Sequence, residues 1–251
     1  MNNPHVVRGR WVLCAATAVV VLAGCTTTVA GTAHRDLRAA PVRDLVAVLP
    51  SSATISQAVG NRLDASQPPV AGAIDVLPNG IRDSDTASPI ECLGPVSPFM
   101  RIVYEVGEVR GAAWQEFSHY GGTQTVSSAD VGVIEFSSAA EAQRMFGVFV
   151  ARWKSCDNTT VTTALHNATD TRLYEKITDV RLDGPLLSAT VVNSDSQRDA
   201  QFPTERAVGL ADDCIVDVDV AVTDGSPAQQ RASGRALRVA TGVLDAVNQG
   251  R

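Results

Sequence analysis

The residues of this 251-residue chain that are best suited to chemistry lie close together, between positions 114 and 122. Trp114 and Tyr120 provide aromatic surfaces, Glu116 a carboxylate and His119 an imidazole, and a Gly-Gly pair follows them. Ligand clefts combine apolar walls with a few polar groups of this kind, so these four residues are the candidate ligand cleft. Ordinary packing at the end of a hairpin is the alternative, and the more common use of such residues. Glu116 and His119 could also form a general acid–base pair, but neither a nucleophile nor a metal-ligand set accompanies them.

Patterns that specify other enzymatic or metal-dependent chemistry do not occur in the sequence. Beyond His5, the histidines are His34, His119 and His166, whose positions do not suit a zinc site. The chain contains no His-Glu-x-x-His motif, nucleophile elbow, Walker A loop or Rossmann fingerprint. We therefore expect a protein without catalytic activity, cofactor or bound metal.

Acidic residues are the other conspicuous group. Asp83-Ser-Asp85 and Asp217-Val-Asp219 do not continue as calcium-binding loops, so we interpret them as solvated acids in a loop and on a sheet face. The net charge of −6 argues against nucleic-acid binding, because DNA- and RNA-binding surfaces are basic.

Hydrophobic periodicity predicts both strands and helices around these residues. Alternating patterns predict strands near 102–106, 110–117, 129–136, 172–180, 186–192 and 214–222. Amphipathic patterns predict helices over 42–49, over a segment capped by Ser51 or Ser52 and closed by Gly60, from the Ser138/Glu141 capping box to Trp153, and from Pro227 to about Gly250.

The last predicted strand is the clearest one. Cys214 and the four valines at 216, 218, 220 and 222 alternate with polar positions that include Asp217 and Asp219. This alternation predicts a half-buried strand of an antiparallel sheet. Because helices interrupt the strands without a regular βαβ order, we predict an α+β fold with helices packed on an antiparallel sheet in a single domain.

The N-terminus carries an export signal. Arg8 and Arg10 precede an apolar run that is too short to span a bilayer, and the run ends in Leu-Ala-Gly-Cys25, a lipobox. We predict a signal peptide over 1–24, acylation of Cys25 (a palmitate-type modification) and a flexible tether over 25–35, followed by the folded domain over 36–251. Acyl chains on Cys25 would then hold the protein to the outer face of the cytoplasmic membrane. An ordinary secretory signal with a chance cysteine is the alternative.

Three cysteines remain beyond the lipobox in an oxidising compartment. One disulfide and one thiol is the simplest arrangement of Cys92, Cys156 and Cys214, and the sequence allows three pairings. We favour Cys92–Cys156, because Cys214 lies on the apolar face of its predicted strand, where a buried thiol is stable.

Several of these segments together resemble a known family. Ile-Glu-Cys92-Leu-Gly-Pro, the helix that ends in Arg-Trp-Lys-Ser-Cys156, and the late strand with Cys214 are similar to the PknH-like extracellular sensor domain. That domain forms the outer part of a mycobacterial transmembrane protein kinase and also occurs, without a kinase, in actinobacterial lipoproteins. The resemblance extends over residues 36–248.

The resemblance carries expectations about structure and function. It implies a twisted antiparallel sheet with packed helices, a large ligand cleft and a Cys92–Cys156 disulfide. A second family disulfide would use Cys214, but Leu165-His-Asn stands where its partner is expected, so Cys214 should remain a thiol. We thus expect a non-catalytic lipoprotein that binds a small molecule or envelope component. The alternatives are an interaction module for an envelope protein and an envelope hydrolase that uses Glu116 and His119.

Overall fold

The computed structural model, which describes residues 44–121, 124–165, 169–223 and 234–250, contains a sheet of ten strands. The strands are β1 (Asp64–Ala65), β2 (Val70–Gly72), β3 (Ala87–Ser88), β4 (Val109–Ser118), β5 (Val126–Phe136), β6 (Thr160–Ala164), β7 (Arg172–Asp183), β8 (Leu186–Asp195), β9 (Arg198–Ala211) and β10 (Cys214–Val222). The pairings among these strands are antiparallel, in the order β1-β4-β5-β10-β9-β8-β7-β6-β3, and β2 pairs with β4. The predicted α+β class with an antiparallel sheet in a single domain is confirmed.

Helices cover both faces of this sheet. In the described residues they are α1 (Ser52–Val59), α2 (Leu93–Val96), α3 (Arg101–Tyr104), α4 (Ala139–Ser155) and α5 (Arg235–Gln249), with 3₁₀ turns at Val46–Val48, Ile74–Val76 and Ile90–Cys92. Helices α2, α3 and α4 pack on one face, and α5 with α1 packs on the other, so each face has its own hydrophobic core. None of these helices has the length and apolarity needed to cross a membrane.

Helix α4 forms where its capping box and apolar stripe predict it. The Ser138 hydroxyl accepts a hydrogen bond from the backbone N–H of Glu141 at 3.2 Å, which satisfies a donor that the first turn would otherwise leave unpaired. The stripe is buried against the sheet and consists of Ala142, Met145, Phe146, Phe149 and Trp153. Helix α1 is confirmed in the same way, since Ser51 caps its start and Gly60 ends it in the left-handed conformation.

Helix α5 is capped by the sheet rather than by its own sequence. Glu205 on β9 accepts hydrogen bonds from the backbone N–H groups of residues 234, 235 and 236 at 2.6–3.2 Å. The other carboxylate oxygen of Glu205 lies 2.8 Å from the Arg235 guanidinium. The described helix begins at Arg235. Pro227 and Ala232, which the helix prediction included, lie outside the described residues.

Two of the secondary-structure predictions were wrong. The residues predicted as a strand at 102–106 belong partly to helix α3, because three alternating positions fit a helical turn as well as a short strand. The helix predicted over 42–49 is reduced to the 3₁₀ turn Val46–Val48, and its first position, Val42, lies outside the described residues. Strands β6 and β9 were not predicted, since neither segment alternates cleanly.

Strand β10 is buried on both faces, so the prediction of a half-buried strand was wrong. It lies between β5 and β9 in the sheet. Its valines pack in the core beneath α5, and Asp217 and Asp219, on the α4 side, are only 1% and 9% exposed. The interpretation of these aspartates as solvated acids was therefore also wrong. Alternation within one strand indicates one covered face but carries no information about a second helix layer built from distant residues.

Candidate functional site

An apolar pocket lies between helix α4 and the segment 90–106, which includes α2 and α3. Its volume is about 300 Å³, within the range of small-molecule sites. From α4, Met145, Phe149 and Trp153 line the pocket at successive turns of the helix. The apolar lining residues of the opposite wall are Ile90, Pro95, Ile102, Val103 and Val106.

The disulfide Cys92–Cys156 ties these two walls together at one end. Cys92 directly precedes α2 and Cys156 directly follows α4, with their Cα atoms 5.7 Å apart. The pairing favoured from the sequence is confirmed. Cys214 lies outside this disulfide as a buried thiol, with Sγ 3.4 Å from Oδ1 of Asp213.

A fully buried arginine on β9 attaches the segment 90–106 to the sheet. Arg206 donates through Nε to the carbonyl of Pro95 at 3.0 Å and through Nη2 to the carbonyl of Gly94 at 3.2 Å. Its guanidinium also lies 5.7 Å from the centre of the Trp153 ring, within cation–π range. Three residues of the pocket are thus positioned by one side chain from the sheet.

Asp217 on β10 neutralises this arginine and holds α3. Its Oδ1 accepts from Nη2 of Arg206 at 2.8 Å, and its Oδ2 accepts from the Tyr104 hydroxyl at 2.7 Å and from the Phe99 backbone N–H at 3.1 Å. Burial and the nearby charge of Asp217 raise the pKa of Tyr104 well above its usual value, so the hydroxyl remains a donor. A buried ion pair stabilises a fold only when its remaining hydrogen-bonding groups are satisfied, as they are here.

A row of acidic side chains crosses the same face of the sheet beside this ion pair. Glu116, Asp130, Asp219 and Arg206 are successive cross-strand partners on β4, β5, β10 and β9. Burial, with repulsion from neighbouring carboxylates, raises the pKa of Asp130 to about 7 and that of Asp219 to about 8. Arg206 offsets this only partly, since its Nε lies 3.9 Å from Asp219 Oδ2. The sequence did not single out Asp130 or Arg206, because only the strand register brings them together.

Trp114 and Glu116, two members of the predicted cleft, share one face of β4. The Trp114 indole N–H donates to the carbonyl of Val76 at 3.0 Å, and its ring stacks on Phe99 with the centroids 6.1 Å apart. Glu116 is half-buried beside Asp130 and accepts a hydrogen bond from Ser66 at 3.5 Å. Trp114 therefore packs beneath the segment 90–106 rather than lining the pocket.

His119 and Tyr120, the other two members, follow the end of β4. His119 Nδ1 lies 3.4 Å from Oδ2 of Asp64, and the Tyr120 side chain is 74% exposed. Neither residue lines the pocket, and no hydrogen bond joins His119 to Glu116. Of the Gly-Gly pair that follows, Gly122 lies outside the described residues.

A second apolar hollow in the described residues, between α1 and α5, is smaller, at about 220 Å³. A third, of about 400 Å³, lies on the outer face of strands β6 to β9 and is lined mainly by polar residues such as Thr160, Lys176 and Ser194. The described residues contain no group of three or more His, Cys, Asp or Glu side chains placed to hold a metal ion. The pocket between α4 and the segment 90–106 is therefore the strongest candidate site.

Comparisons with known proteins agree with this architecture. A sequence model described as the PknH-like extracellular domain matches residues 40–245. The crystal structure of the extracellular domain of PknH from Mycobacterium tuberculosis is similar, with a TM-score of 0.67 and 19% identity over 82% of this chain and 95% of that one. An uncharacterised protein from Mycobacterium smegmatis gives a TM-score of 0.42 and 13% identity over 81% of this chain and 98% of the other. No curated protein matches significantly.

Proposed function

The chain belongs to the PknH-like extracellular domain family, and we propose that it is a membrane-anchored lipoprotein whose sensor-like domain binds a small molecule without catalysis. Members of this family are extracytoplasmic, non-catalytic, sensor-like domains. The proposed binding site is the pocket between α4 and the segment 90–106. The observation that carries the proposal is that this apolar pocket lies between two walls that are held relative to each other by the disulfide and by Arg206.

The apolar surface that lines the pocket supports a binding role. This surface is open to water, and exposed apolar grooves are typical of ligand- or protein-binding sites. Here the disulfide and the hydrogen bonds from Arg206 both fix the opposite wall relative to the sheet and α4. Such a preorganised apolar site can bind a ligand without a large ordering cost.

Native mass spectrometry of the lipidated protein extracted from its own envelope tests the binding function. The expected result is a reproducible small-molecule adduct on the chain. A bare chain that still carries the acyl chains on Cys25 would contradict the proposal. A stoichiometric second polypeptide in place of the adduct would support the alternative, an interaction module for an envelope protein.

Membrane attachment is proposed from the lipobox. Cys25, the signal peptide over 1–24 and the tether over 25–35 lie outside the described residues. Without residues 1–24 the chain loses two arginines and no acid, so its net charge is more negative than the −6 of the whole sequence. An acidic domain is repelled by anionic lipid head groups, so acyl chains must provide the attachment. Cys25→Ala should prevent acylation, detected by the loss of the lipid mass, and move the chain out of the lipoprotein fraction of the membrane. An unchanged mass and fractionation would refute the anchor.

A further inference from the structure

A hydrogen-bond donor without an acceptor lies at the pocket wall. Trp153 is fully buried, and its indole Nε1 has no hydrogen-bond partner among the residues that the structure describes. Leaving a buried N–H unpaired is costly, and an indole can only donate. A ligand that satisfies this group must therefore bring an acceptor atom, for which an oxygen is the ordinary choice.

Gly94, which has no side chain, lies beside this indole at the pocket wall. A Cβ atom added at Gly94 would lie 3.5 Å from Trp153 Nε1, 3.4 Å from Val103 Cγ1 and 3.8 Å from Phe149 Cε1. These are contact distances without overlap, and all four residues line the pocket. Because Gly94 has no side chain, no Cβ of this residue contacts the unpaired donor, whereas an alanine methyl would.

The size of the pocket limits what can enter it. A volume of about 300 Å³ equals that of roughly ten water molecules at about 30 Å³ each. The walls are dominated by aliphatic and aromatic side chains, so most of the bound portion must be apolar. A chain of roughly ten non-hydrogen atoms fits this description better than a sugar or a nucleotide does.

Charged side chains around the pocket favour a single negative charge on the ligand. The exposed guanidinium of Arg152 forms no ion pair in the described part of the chain, so it is open to an anion. Glu105 is already paired with Arg82 at 2.8 Å. Glu91 also lines the pocket and forms no ion pair within the described ranges, so its negative charge disfavours a doubly charged group. A carboxylate suits this combination better than a phosphate monoester.

We infer that the ligand is a medium-chain aliphatic carboxylic acid whose oxygen accepts from Trp153 Nε1 and whose negative charge lies near Arg152. This inference rests on the proposed binding function and names the class of ligand for the same pocket. No bond is made or broken on binding.

The test uses residues 43–251 with the disulfide intact. These residues form one compact unit, and the similar PknH extracellular domain crystallises as a separate domain. Decanoate, 1-decanol and decylamine, which share one chain length, are titrated while the indole N–H signals are followed by ¹H–¹⁵N NMR. Trp114, whose N–H already donates to Val76, is the internal reference, and Trp114→Phe assigns the two signals.

Decanoate should bind most tightly and shift the Trp153 indole signal downfield, while the Trp114 signal stays in place. Decanol should also shift the Trp153 signal but bind more weakly. Decylamine should bind most weakly and not shift it downfield, because an ammonium group has no acceptor. Equal binding by all three without a shift at Trp153 would refute the inference and leave the binding function intact. No binding by any of them would overturn the inference, whereas the native mass spectrum of the extracted protein decides the binding function separately.

Two variants and one matched control sharpen this test. Gly94→Ala should weaken decanoate at least about tenfold, because its methyl group fills the space beside Trp153. Gly147→Ala adds the same methyl on the open side of α4, with nothing within 4 Å, and should bind decanoate as wild type does. Arg152→Gln should weaken decanoate by roughly two- to five-fold, as expected for an exposed ion pair, and leave decanol unchanged. Equal losses for decanoate and decanol in Arg152→Gln would refute the anionic assignment, even if Gly94→Ala failed to fold.

Discussion

Replacing Asp130 by Asn should make the protein less sensitive to alkaline pH. Asp130 and Asp219 are buried neighbours whose pKa values are raised to about 7 and about 8. A carboxyl with a raised folded-state pKa binds more protons in the folded than in the unfolded chain. Its contribution to stability is therefore complete below the unfolded pKa, near 3.8, and is lost as the pH rises through the folded value. The affected window extends from about pH 4 to pH 8.

The size of the effect follows from the shift at Asp130. A pKa raised from 3.8 to about 7 corresponds to at most about 4 kcal/mol, at about 1.4 kcal/mol per unit. Because the two carboxyls share their protons and the site can relax, we expect about half of this, about 2 kcal/mol. At pH 4, close to the unfolded pKa, wild type and Asp130→Asn should be similarly stable, since the carboxyl is then protonated in the folded chain and a protonated aspartate resembles asparagine. At pH 8 the variant should be more stable by about 2 kcal/mol.

Urea unfolding of both proteins at pH 4 and pH 8 measures this difference. Other titrating groups, such as Glu141, whose pKa is lowered to about 2 by Arg144, are common to both proteins and cancel. The control is Asp179→Asn, which removes the same charge from an exposed site whose positive φ an asparagine tolerates. It should show no such pH dependence. A difference between wild type and Asp130→Asn that is the same at both pH values would refute the reasoning.

Three further changes test the framework around the pocket, each by urea or thermal unfolding. Glu205→Ala should destabilise the protein by about 3 kcal/mol, because it removes the cap of α5 and leaves a buried arginine unpaired. Glu205→Gln should destabilise it less, and equal losses in the two variants would contradict the charge argument. Gly132→Ala should cost about 1–3 kcal/mol, because its Cβ would lie 2.6 Å from the Phe99 ring; a variant as stable as wild type would show that this ring can move aside. Replacing Cys92 and Cys156 together by Ser should lower the free energy of unfolding by about 2–4 kcal/mol, since the disulfide joins residues that are 64 positions apart. An unchanged stability would mean that Arg206 alone holds the pocket wall.

Local patterns were sufficient to predict much of the scaffold. Helix α4 was predicted from a capping residue and a stripe of apolar side chains, both of which lie within one continuous segment. The strands near 110–117, 129–136, 172–180, 186–192 and 214–222 were predicted from alternation and β-branched composition in the same way. These signals are reliable because the interactions that produce them join residues only a few positions apart.

The site residues were harder to predict, for a physical reason. Trp153 was predicted only as part of the apolar stripe of α4, because the lack of an acceptor for its indole depends on residues some sixty positions away. The candidate cleft at 114–120 was chosen by residue type, but the strand register directs Trp114 towards Phe99 and His119 towards Asp64. The residue types in a short segment indicate which chemistry is available, but they do not determine which residues each side chain contacts in the folded protein.

Short motifs in the sequence were sufficient to infer export, acylation at Cys25 and the resemblance to the PknH-like domain. Each of these motifs lies within one continuous segment and can be recognised without the tertiary structure. The Cys92–Cys156 pairing could be favoured by elimination among three cysteines. The packing of the helices on the sheet determines three other features: the burial of Asp217 and Asp219, their contact with Arg206, and the pocket beside Trp153. Each of these features arises where three or more distant segments meet, and the free energy of burial depends on all of them at once.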